Sequence, residues 1–171
     1  YKKEYGLIDF NDMILDFVKS DKSPKFDVVF IDEAQDLSRM QWDMVNHFNT
    51  QDSFIAGDDD QAIFRWAGAD VDRFITQTGK MLHLTQSMRI PRSVHDFAMK
   101  IIERVSNRIH KEWKPKTVEG SVNMYESFED VDLRTGEWMV LTRTRHMLDA
   151  IEETLKTRGL YFENKFKKSF E

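Results

Sequence analysis

The sequence lacks cysteine altogether, which excludes disulfide bonds and thiolate metal sites and is compatible with an intracellular protein. It also lacks any apolar run near the ~20 residues that a membrane-spanning helix needs, and no apolar signal core follows its charged first residues. The five histidines fall at spacings that match no metal-binding motif, so we expect structural or surface roles for them. These absences predict a soluble, cytoplasmic protein without a membrane partner.

The composition is that of a globular protein that is acidic overall. Of 171 residues, 40% are hydrophobic and 32% are charged, and the net charge is −5, which is ordinary for one or two small domains. Residues 1–84 hold 9 basic and 16 acidic side chains, whereas residues 85–171 hold 16 and 14. Any contact to nucleic acid is therefore expected from local groups, and the weakly basic second half is favoured for phosphate contacts.

Alternating helix and strand patterns predict an α/β fold with a parallel sheet. In the first half we expect a helix at 8–19 capped by Asp9, a strand at 28–32, a helix at 38–48, a strand at 53–57 and a short helix at 71–77. In the second half we expect a strand at 81–85, a long helix from Pro91 to Ile109, strands at 122–125 and 138–142, and a helix at 147–157.

Two of the predicted strands are apolar runs of the kind that is buried in a parallel sheet, and both end in carboxylates. Residues 28–36 read VVFIDEAQD and residues 53–61 read SFIAGDDDQ, and a parallel sheet presents such ends along one edge, where ligands bind. Phosphoryl transfer needs one carboxylate to hold Mg²⁺ through water and another to orient or deprotonate the attacking water. Asp32 and Glu33 suit these tasks, although two carboxylates at a strand end can also be a solvated cap of the next helix.

These strand ends, continued by residues 62–70 (AIFRWAGAD), resemble motifs II and III of the UvrD/Rep (PcrA-like) family of superfamily 1 DNA helicases. Residues 7–14, 84–91 and 138–145 are similar to further elements of that family. The resemblance implies a partial RecA-like helicase core of the P-loop NTPase type. Residues 1–86 would be the C-terminal part of a first, ATP-binding RecA-like domain, and residues 87–171 the N-terminal part of a second.

The resemblance also implies roles at an ATP site, with ATP and Mg²⁺ as cofactors. Asp32 would hold Mg²⁺ through water, and Glu33 would be the catalytic base. Gln61 would sense the γ-phosphate, because its amide can donate to a phosphate oxygen and accept from water. Arg89 would cross from the second domain to stabilise charge on the transferred phosphoryl group; the alternative is an arginine at the surface or at a helix start.

Three further residues are candidates for DNA contact. Phe64 and Trp66 follow Gln61 closely, and exposed rings there can stack on bases, whereas buried rings would belong to the core. Arg143 lies where the family has a strand-end arginine near DNA. The sequence departs from the family pattern at Ala67, which replaces an arginine, at Met88, which replaces an aromatic residue, and at Arg145, which replaces an asparagine.

The phosphate-binding sequence Gly-x-x-x-x-Gly-Lys-Ser/Thr does not occur, and the only Gly-Lys pair, Gly79-Lys80, lacks the rest of that motif. The first residue is not methionine and the sequence stops abruptly at FKKSFE, so we expect a piece of a longer protein. We also expect this chain by itself to hydrolyse ATP poorly or not at all.

For the longer protein, the resemblance implies ATP-driven 3′ to 5′ movement on single-stranded DNA and unwinding at duplex junctions, in DNA repair or replication. One alternative is a helicase-nuclease recombination subunit with a similar motor. Another is a non-catalytic DNA-binding module that keeps the fold. An RNA helicase of the Asp-Glu-Ala-Asp type fits Gln35 and the Trp66 loop less well.

Overall fold

The computed structural model describes residues 2–20 and 22–164. The helices are α1 (Lys2–Tyr5), α2 (Phe10–Lys19), α3 (Arg39–His47), α4 (Val71–Ile75), α5 (Arg92–Ile102) and α6 (Arg145–Thr157), and the strands are β1 (Lys25–Ile31) and β2 (Asn49–Ile55). Short 3₁₀ turns lie at Ala34–Asp36, Asp59–Gln61, Arg65–Ala67 and Phe128–Asp130. Among the described residues, no helix has the length and apolar character to cross a membrane.

Strands β1 and β2 are parallel and are connected through α3. Their register runs from Lys25 opposite Asn49 to Ile31 opposite Ile55. The pairing continues past both strands, because the backbone N–H of Ala56 donates to the carbonyl of Ile31 at 2.8 Å and that of Ala34 donates to the carbonyl of Ala56 at 3.0 Å. The predicted α/β fold with a parallel strand pair is confirmed, and the carboxyl ends of the two strands lie side by side.

Helices α2 and α3 begin at capping boxes that the sequence encodes. The Asp9 carboxylate accepts from the backbone N–H of Asp12, and the Asp12 carboxylate accepts from that of Asp9. Ser38 and Gln41 make the same exchange at the start of α3. Each such cap contributes about 1 kcal/mol to helix stability. The prediction that Asp9 caps the first long helix is confirmed.

The buried core of the first half surrounds the strand ends. Trp42, Val71 and Ala34 are buried there together with the polar side chain of Gln35. Helix α4 contacts both of the 3₁₀ turns that follow β1 and β2. The most tightly packed part of the first half is therefore the part that carries the strand-end side chains.

The apolar runs of the strands are more exposed than the sequence predicts. The rings of Phe30 and Phe54 stack at a centroid distance of 5.1 Å and an interplanar angle of 14°, yet these residues are 76% and 57% exposed. The prediction that both runs are buried is wrong for these two rings. The physical reason is that the faces of a parallel sheet are covered by helices packed on them, and among the described elements no helix packs extensively on β1 or β2.

The strands predicted at 81–85, 122–125 and 138–142 do not form. A strand needs a continuous hydrogen-bonded neighbour, and in the described chain the first of these segments has only an isolated bridge beside it. In that bridge the N–H of Lys114 donates to the carbonyl of Thr85 at 2.7 Å, and the N–H of Ser87 donates to the carbonyl of Lys114 at 2.8 Å. The helix predicted at 147–157 does form, as α6.

Helix α5 begins after Pro91, as predicted, but it ends at Ile102 rather than at Ile109. Beyond it, the Arg108 guanidinium binds Asp60 and the backbone N–H of Ile109 donates to the Asp59 carboxylate at 2.6 Å. A continued helix would bind that N–H within itself. The contacts to the aspartates therefore replace the last helical turns.

The chain divides into two compact units, residues 1–121 and 122–171. Residues 87–121 are grouped with the first unit, and their contacts there include the Lys114 bridge and the contacts of Arg108 and Ile109. The boundary between the two units, after residue 121, differs from the predicted boundary between residues 86 and 87. That prediction concerns the two domains of a helicase motor, which a grouping by contacts does not test, and it stays a prediction. Residues 165–171 of the predicted second domain lie outside the described residues.

Candidate functional site at the ends of the parallel strands

Asp32 and Glu33 follow the last residue of β1, and Glu33 has an unusual backbone. The N–H of Glu33 donates to the Asp32 carboxylate at 2.9 Å. Glu33 has φ 50° and ψ 40°, and within residues 2–20 and 22–164 it is the one non-glycine residue with a positive φ. A left-handed conformation costs a residue with a side chain about 1–2 kcal/mol. Such strain is concentrated at functional sites, which makes Glu33 a candidate on structural grounds as well.

The buried amide of Gln35 connects the ends of the two strands. Its Nε2 donates to the Glu33 carboxylate at 2.8 Å, and its Oε1 accepts from the backbone N–H of Asp58 at 2.9 Å. Gln35 is only 2% exposed, and a buried amide is costly unless both of its ends are bonded. Gln35 therefore holds the Glu33 carboxylate in a fixed place relative to the backbone of Asp58, in the loop after β2.

Gly57 makes this approach possible. A Cβ atom at Gly57 would lie 2.6 Å from Oε1 of Gln35 and 2.9 Å from the ring of Phe74. Both distances are shorter than non-bonded contacts allow. The absence of a side chain at Gly57 is therefore what lets the Gln35 amide reach the backbone after β2.

Gln61 belongs to the same network. It lies in the 3₁₀ turn Asp59–Gln61, and its Nε2 donates to the Asp58 carboxylate at 2.7 Å. A continuous series of hydrogen bonds thus runs from Glu33 through Gln35 and Asp58 to Gln61. The structure brings together three of the residues predicted for the ATP site, namely Asp32, Glu33 and Gln61.

Three consecutive aspartates in this loop are paired with two basic side chains from the segment after α5. Arg108 binds Asp60 with both arms of its guanidinium, at 2.7 and 2.6 Å. Lys111 Nζ lies 2.7 Å from the Asp58 carboxylate and also donates to Asp59. Neither Arg108 nor Lys111 is among the site residues predicted from the sequence. The available signal was the Asp-Asp-Asp run itself, because such a run needs positive charges nearby. The run does not indicate which basic residues supply those charges.

The ion pairs shift the pKa values of this loop. Burial raises the pKa of Asp58, but hydrogen bonds from Lys111 and Gln61 outweigh it and hold the pKa below its ordinary value. Burial lowers the pKa of Lys111, but hydrogen bonds to Asp58 and Asp59 outweigh it and hold the pKa above its ordinary value. Both groups are therefore charged at neutral pH.

Phe64 and Trp66 form an exposed aromatic pair. Trp66 is 84% exposed and Phe64 is 42% exposed, and their ring centroids are 6.5 Å apart with an interplanar angle of 49°. The chain turns at Gly68, whose φ of 100° is in the region that favours glycine. The alternative that these rings belong to the core is wrong for Trp66, whose ring is available for stacking.

Of the remaining predicted site residues, Arg89 makes no hydrogen bond to this network among the described residues, and Arg143 belongs to the second unit. Arg89 is exposed in the segment before α5, with its backbone N–H 3.3 Å from the Ser87 hydroxyl. Arg143 is exposed in the second unit, before α6. In the described part of the chain, no hydrogen bond joins Arg89 to Glu33 or Gln61. No group of three His, Cys, Asp or Glu side chains that could hold a metal ion occurs there either.

Comparison with known proteins shows that parts of this chain are similar to DNA helicases. Residues 1–82 match the family model described as the UvrD/REP helicase N-terminal domain. The ATP-dependent DNA helicase PcrA of Bacillus subtilis (strain 168) is 27% identical over 91% of this chain and 26% of its own length. DNA helicase II of Escherichia coli (strain K12) is 26% identical over 74% of this chain and 20% of its own length.

The ATP-dependent DNA helicase srs2 of Schizosaccharomyces pombe is 29% identical over 72% of this chain and 15% of its own length. The chain thus spans about a quarter or less of the length of these relatives. The similarity to PcrA extends beyond the residues that match the family model. The family match and the relatives thus show that this chain is similar to UvrD-like helicases.

Proposed function

We propose that this chain is part of an ATP-dependent DNA helicase and carries the γ-phosphate side of its ATP site. The observation that supports this proposal most directly is the hydrogen-bonded series Glu33, Gln35, Asp58 and Gln61. It holds a candidate base and a candidate phosphate sensor at the carboxyl edge of a parallel strand pair, where α/β folds bind their ligands. In this proposal the fold is a partial RecA-like core.

The donors and acceptors left over in the network fit ATP hydrolysis. Gln35 binds one oxygen of the Glu33 carboxylate, which leaves the other oxygen to accept a proton from the attacking water. Gln61 uses one hydrogen of its amide nitrogen for Asp58, which leaves the second hydrogen for a γ-phosphate oxygen. Glu33 is thus the proposed base and Gln61 the proposed sensor.

Asp32 suits Mg²⁺ held through water. Magnesium keeps several waters and takes one or two carboxylates together with substrate phosphates, rather than a complete protein cage. An exposed single carboxylate at the strand end agrees with that preference. The ion would neutralise charge on the phosphates. Arg89 is proposed to complete the charge stabilisation from the adjoining domain.

The exposed aromatic pair is the proposed grip on single-stranded DNA. Stacking of a base on an aromatic ring contributes about 1–3 kcal/mol and tolerates any sequence. Trp66 lies five residues after Gln61, so a change at the γ-phosphate can move the stacking surface through a very short segment. Arg143 is a further proposed DNA contact. We propose 3′ to 5′ translocation, with duplex junctions as the substrate of unwinding and the cytoplasm as the location.

The phosphate-binding loop required for turnover is not part of this sequence. We therefore propose that hydrolysis is a property of a longer protein and that this chain alone is inactive. A nuclease domain elsewhere in that protein would make it a helicase-nuclease subunit, with the same motor chemistry at Glu33.

The test is ATP turnover by the full-length protein with and without single-stranded DNA, for the wild type, Glu33→Gln and the control Glu137→Gln. Glu137 is an exposed residue of the second unit, far along the chain from the network. We expect turnover that depends on DNA, survives Glu137→Gln and falls at least a hundredfold in Glu33→Gln. A folded wild-type protein that binds DNA and shows no turnover would instead identify a non-catalytic DNA-binding module.

A further inference from the structure

Lys111 occupies a central place in the loop after β2. Its Nζ lies 2.7 Å from Oδ1 of Asp58, while Oδ2 of the same carboxylate accepts from Nε2 of Gln61 at 2.7 Å. One carboxylate thus joins the lysine to the glutamine. The amide of Gln61 is oriented by an acceptor whose own position depends on Lys111.

We propose that Lys111 is a positioning residue for Gln61 and that it acts through the Asp58 carboxylate. The inference rests on the proposed function, because it assigns Lys111 a part in the response of Gln61 to the γ-phosphate. Lys111 touches neither phosphate nor water in this proposal. It fixes which way the Gln61 amide faces and where the loop lies.

The burial of this ion-pair cluster distinguishes it from ordinary surface pairs. The Asp59 side chain is 2% exposed, and the Lys111 side chain is 21% exposed. Arg108 and Asp60, the neighbouring pair, are 11% and 17% exposed. Exposed pairs in this chain, such as Arg134 with Asp132 at 79% and 57%, contribute little to holding a loop. Partial burial weakens solvent screening, so the cluster can hold the loop in one arrangement.

Charge gives a second reason for the cluster. Asp58, Asp59 and Asp60 directly precede Gln61, so three unpaired carboxylates would lie close to the place where a triphosphate is proposed to bind. Like charges repel each other more strongly where solvent is partly excluded. Lys111 and Arg108 supply two positive charges against these three negative ones. The loop can therefore lie near a phosphate without the repulsion that its sequence implies.

Lys111 is also distant in sequence from the loop. Its contact therefore couples the orientation of Gln61 to a remote segment of the chain. Lys111 is separated from Asp58 by 53 positions and lies in the segment after α5. Any displacement of that segment would remove a partner from Asp58 and free the Gln61 amide to rotate. The orientation of Gln61 is therefore sensitive to the position of the chain after α5.

The experiment measures kcat and KM for ATP in the full-length protein, with saturating single-stranded DNA. The variants are Lys111→Met, Lys111→Arg, Gln61→Ala and the double variant Lys111→Met with Gln61→Ala. Lys114→Met is the matched control, because Lys114 is exposed and bonds Thr85 and Ser87 through its backbone. Thermal unfolding of each variant is recorded alongside.

We expect Lys111→Met to lower kcat about tenfold with little change in KM, because a misplaced catalytic group costs up to about a hundredfold in rate. Lys111→Arg should restore most of the rate, and Lys114→Met should equal the wild type. The double variant should be no slower than Gln61→Ala alone, because the lysine acts through the glutamine. If Lys111→Met slows the Gln61→Ala enzyme by the same factor as the wild type, the proposed route through Gln61 is wrong.

Asp58→Asn provides an independent test if Lys111→Met does not fold. The asparagine keeps an oxygen for Lys111 but presents an amide N–H₂ where Gln61 needs an acceptor, so the same tenfold loss and the same lack of additivity are expected. Full activity of Asp58→Asn would overturn the inference. A wild-type protein that turns over ATP no faster than Glu33→Gln would refute the proposed function itself, and the inference with it.

Discussion

Replacing Gly57 by alanine is expected to disrupt the site without touching any residue that is proposed to react. The added Cβ would lie 2.6 Å from Oε1 of Gln35, 2.9 Å from Cζ of Phe74 and 3.0 Å from its Cε2. Gly57 is the one glycine of the sequence whose φ is not positive, so alanine can adopt its backbone conformation. The cost of the substitution is therefore steric and falls on the two neighbouring side chains.

The size of the effect follows from what these neighbours can do. Overpacking a core by one methyl group costs about 1–3 kcal/mol. Gln35 can retreat only by weakening its hydrogen bonds to Glu33 and to the N–H of Asp58, and each such bond contributes about 0.5–3 kcal/mol. The ring of Phe74 blocks movement of the new Cβ away from Gln35. The cost of overpacking and the cost of weakened hydrogen bonds therefore both apply in part. We expect the free energy of unfolding to fall by about 2–4 kcal/mol.

The assay is urea unfolding of the chain, followed by circular dichroism. With a urea dependence of about 2 kcal/mol per molar, the midpoint should fall by about 1–2 M. Ala56→Ser is the matched control, because Ala56 is the adjacent residue, is exposed and should accept a hydroxyl within about 0.5 kcal/mol. A Gly57→Ala midpoint within 0.3 M of the wild type, roughly the error of such extrapolations, would refute the close approach of Gln35.

Three further predictions concern the strained residue, the exposed ring and the ion pair. Glu33→Gly and Glu33→Ala both remove the carboxylate, but glycine tolerates the φ of 50°; the glycine variant should be about 1 kcal/mol more stable in urea, and equal stabilities would argue against strain. Trp66→Ala should weaken single-stranded DNA binding by the full-length protein about 5-fold to 150-fold at an unchanged melting temperature, since the residue is 84% exposed. Lys111→Met should be less stable than the wild type at pH 7. This stability deficit should shrink below pH 3.8, because the pKa of Asp58 is held below its ordinary value of 3.8 and the carboxylate becomes protonated there. It should also shrink above pH 10.5, because the pKa of Lys111 is held above its ordinary value of 10.5 and the lysine loses its charge there. A deficit that stays constant in urea titrations from pH 3 to pH 11 would contradict the pairing.

The parts of the fold that could be predicted from the sequence are those fixed by local patterns. The capping residue Asp9 and the start of α5 after Pro91 both depend on a few neighbouring residues. The alignment of the ends of β1 and β2 follows from their parallel connection through a helix, which is also a short-range feature. For the same reason, Asp32, Glu33 and Gln61 could be expected at one edge of the sheet from the sequence.

The parts that could not be predicted depend on partners far along the chain. Arg108 and Lys111 lie 48 to 53 positions from the aspartates that they bind, and no periodicity points across such a distance. The segment 81–85 has the apolar character of a strand but lacks a continuous neighbour among the described residues. The backbone of Glu33 is a third case, because sequence rules assign a positive φ to glycine or asparagine and not to glutamate.

The strain at Glu33 and the bridge through Gln35 explain each other. A left-handed residue turns the chain sharply at the end of β1 and starts the 3₁₀ turn Ala34–Asp36 at once. The turn brings the side chain of residue 35 back to the carboxylate of residue 33 and places its other end against the N–H of Asp58. The hydrogen bonds so formed offset a backbone cost of about 1–2 kcal/mol. Glycine at position 33 would relieve the cost but remove the carboxylate, so the strain at Glu33 agrees with the role proposed for that carboxylate.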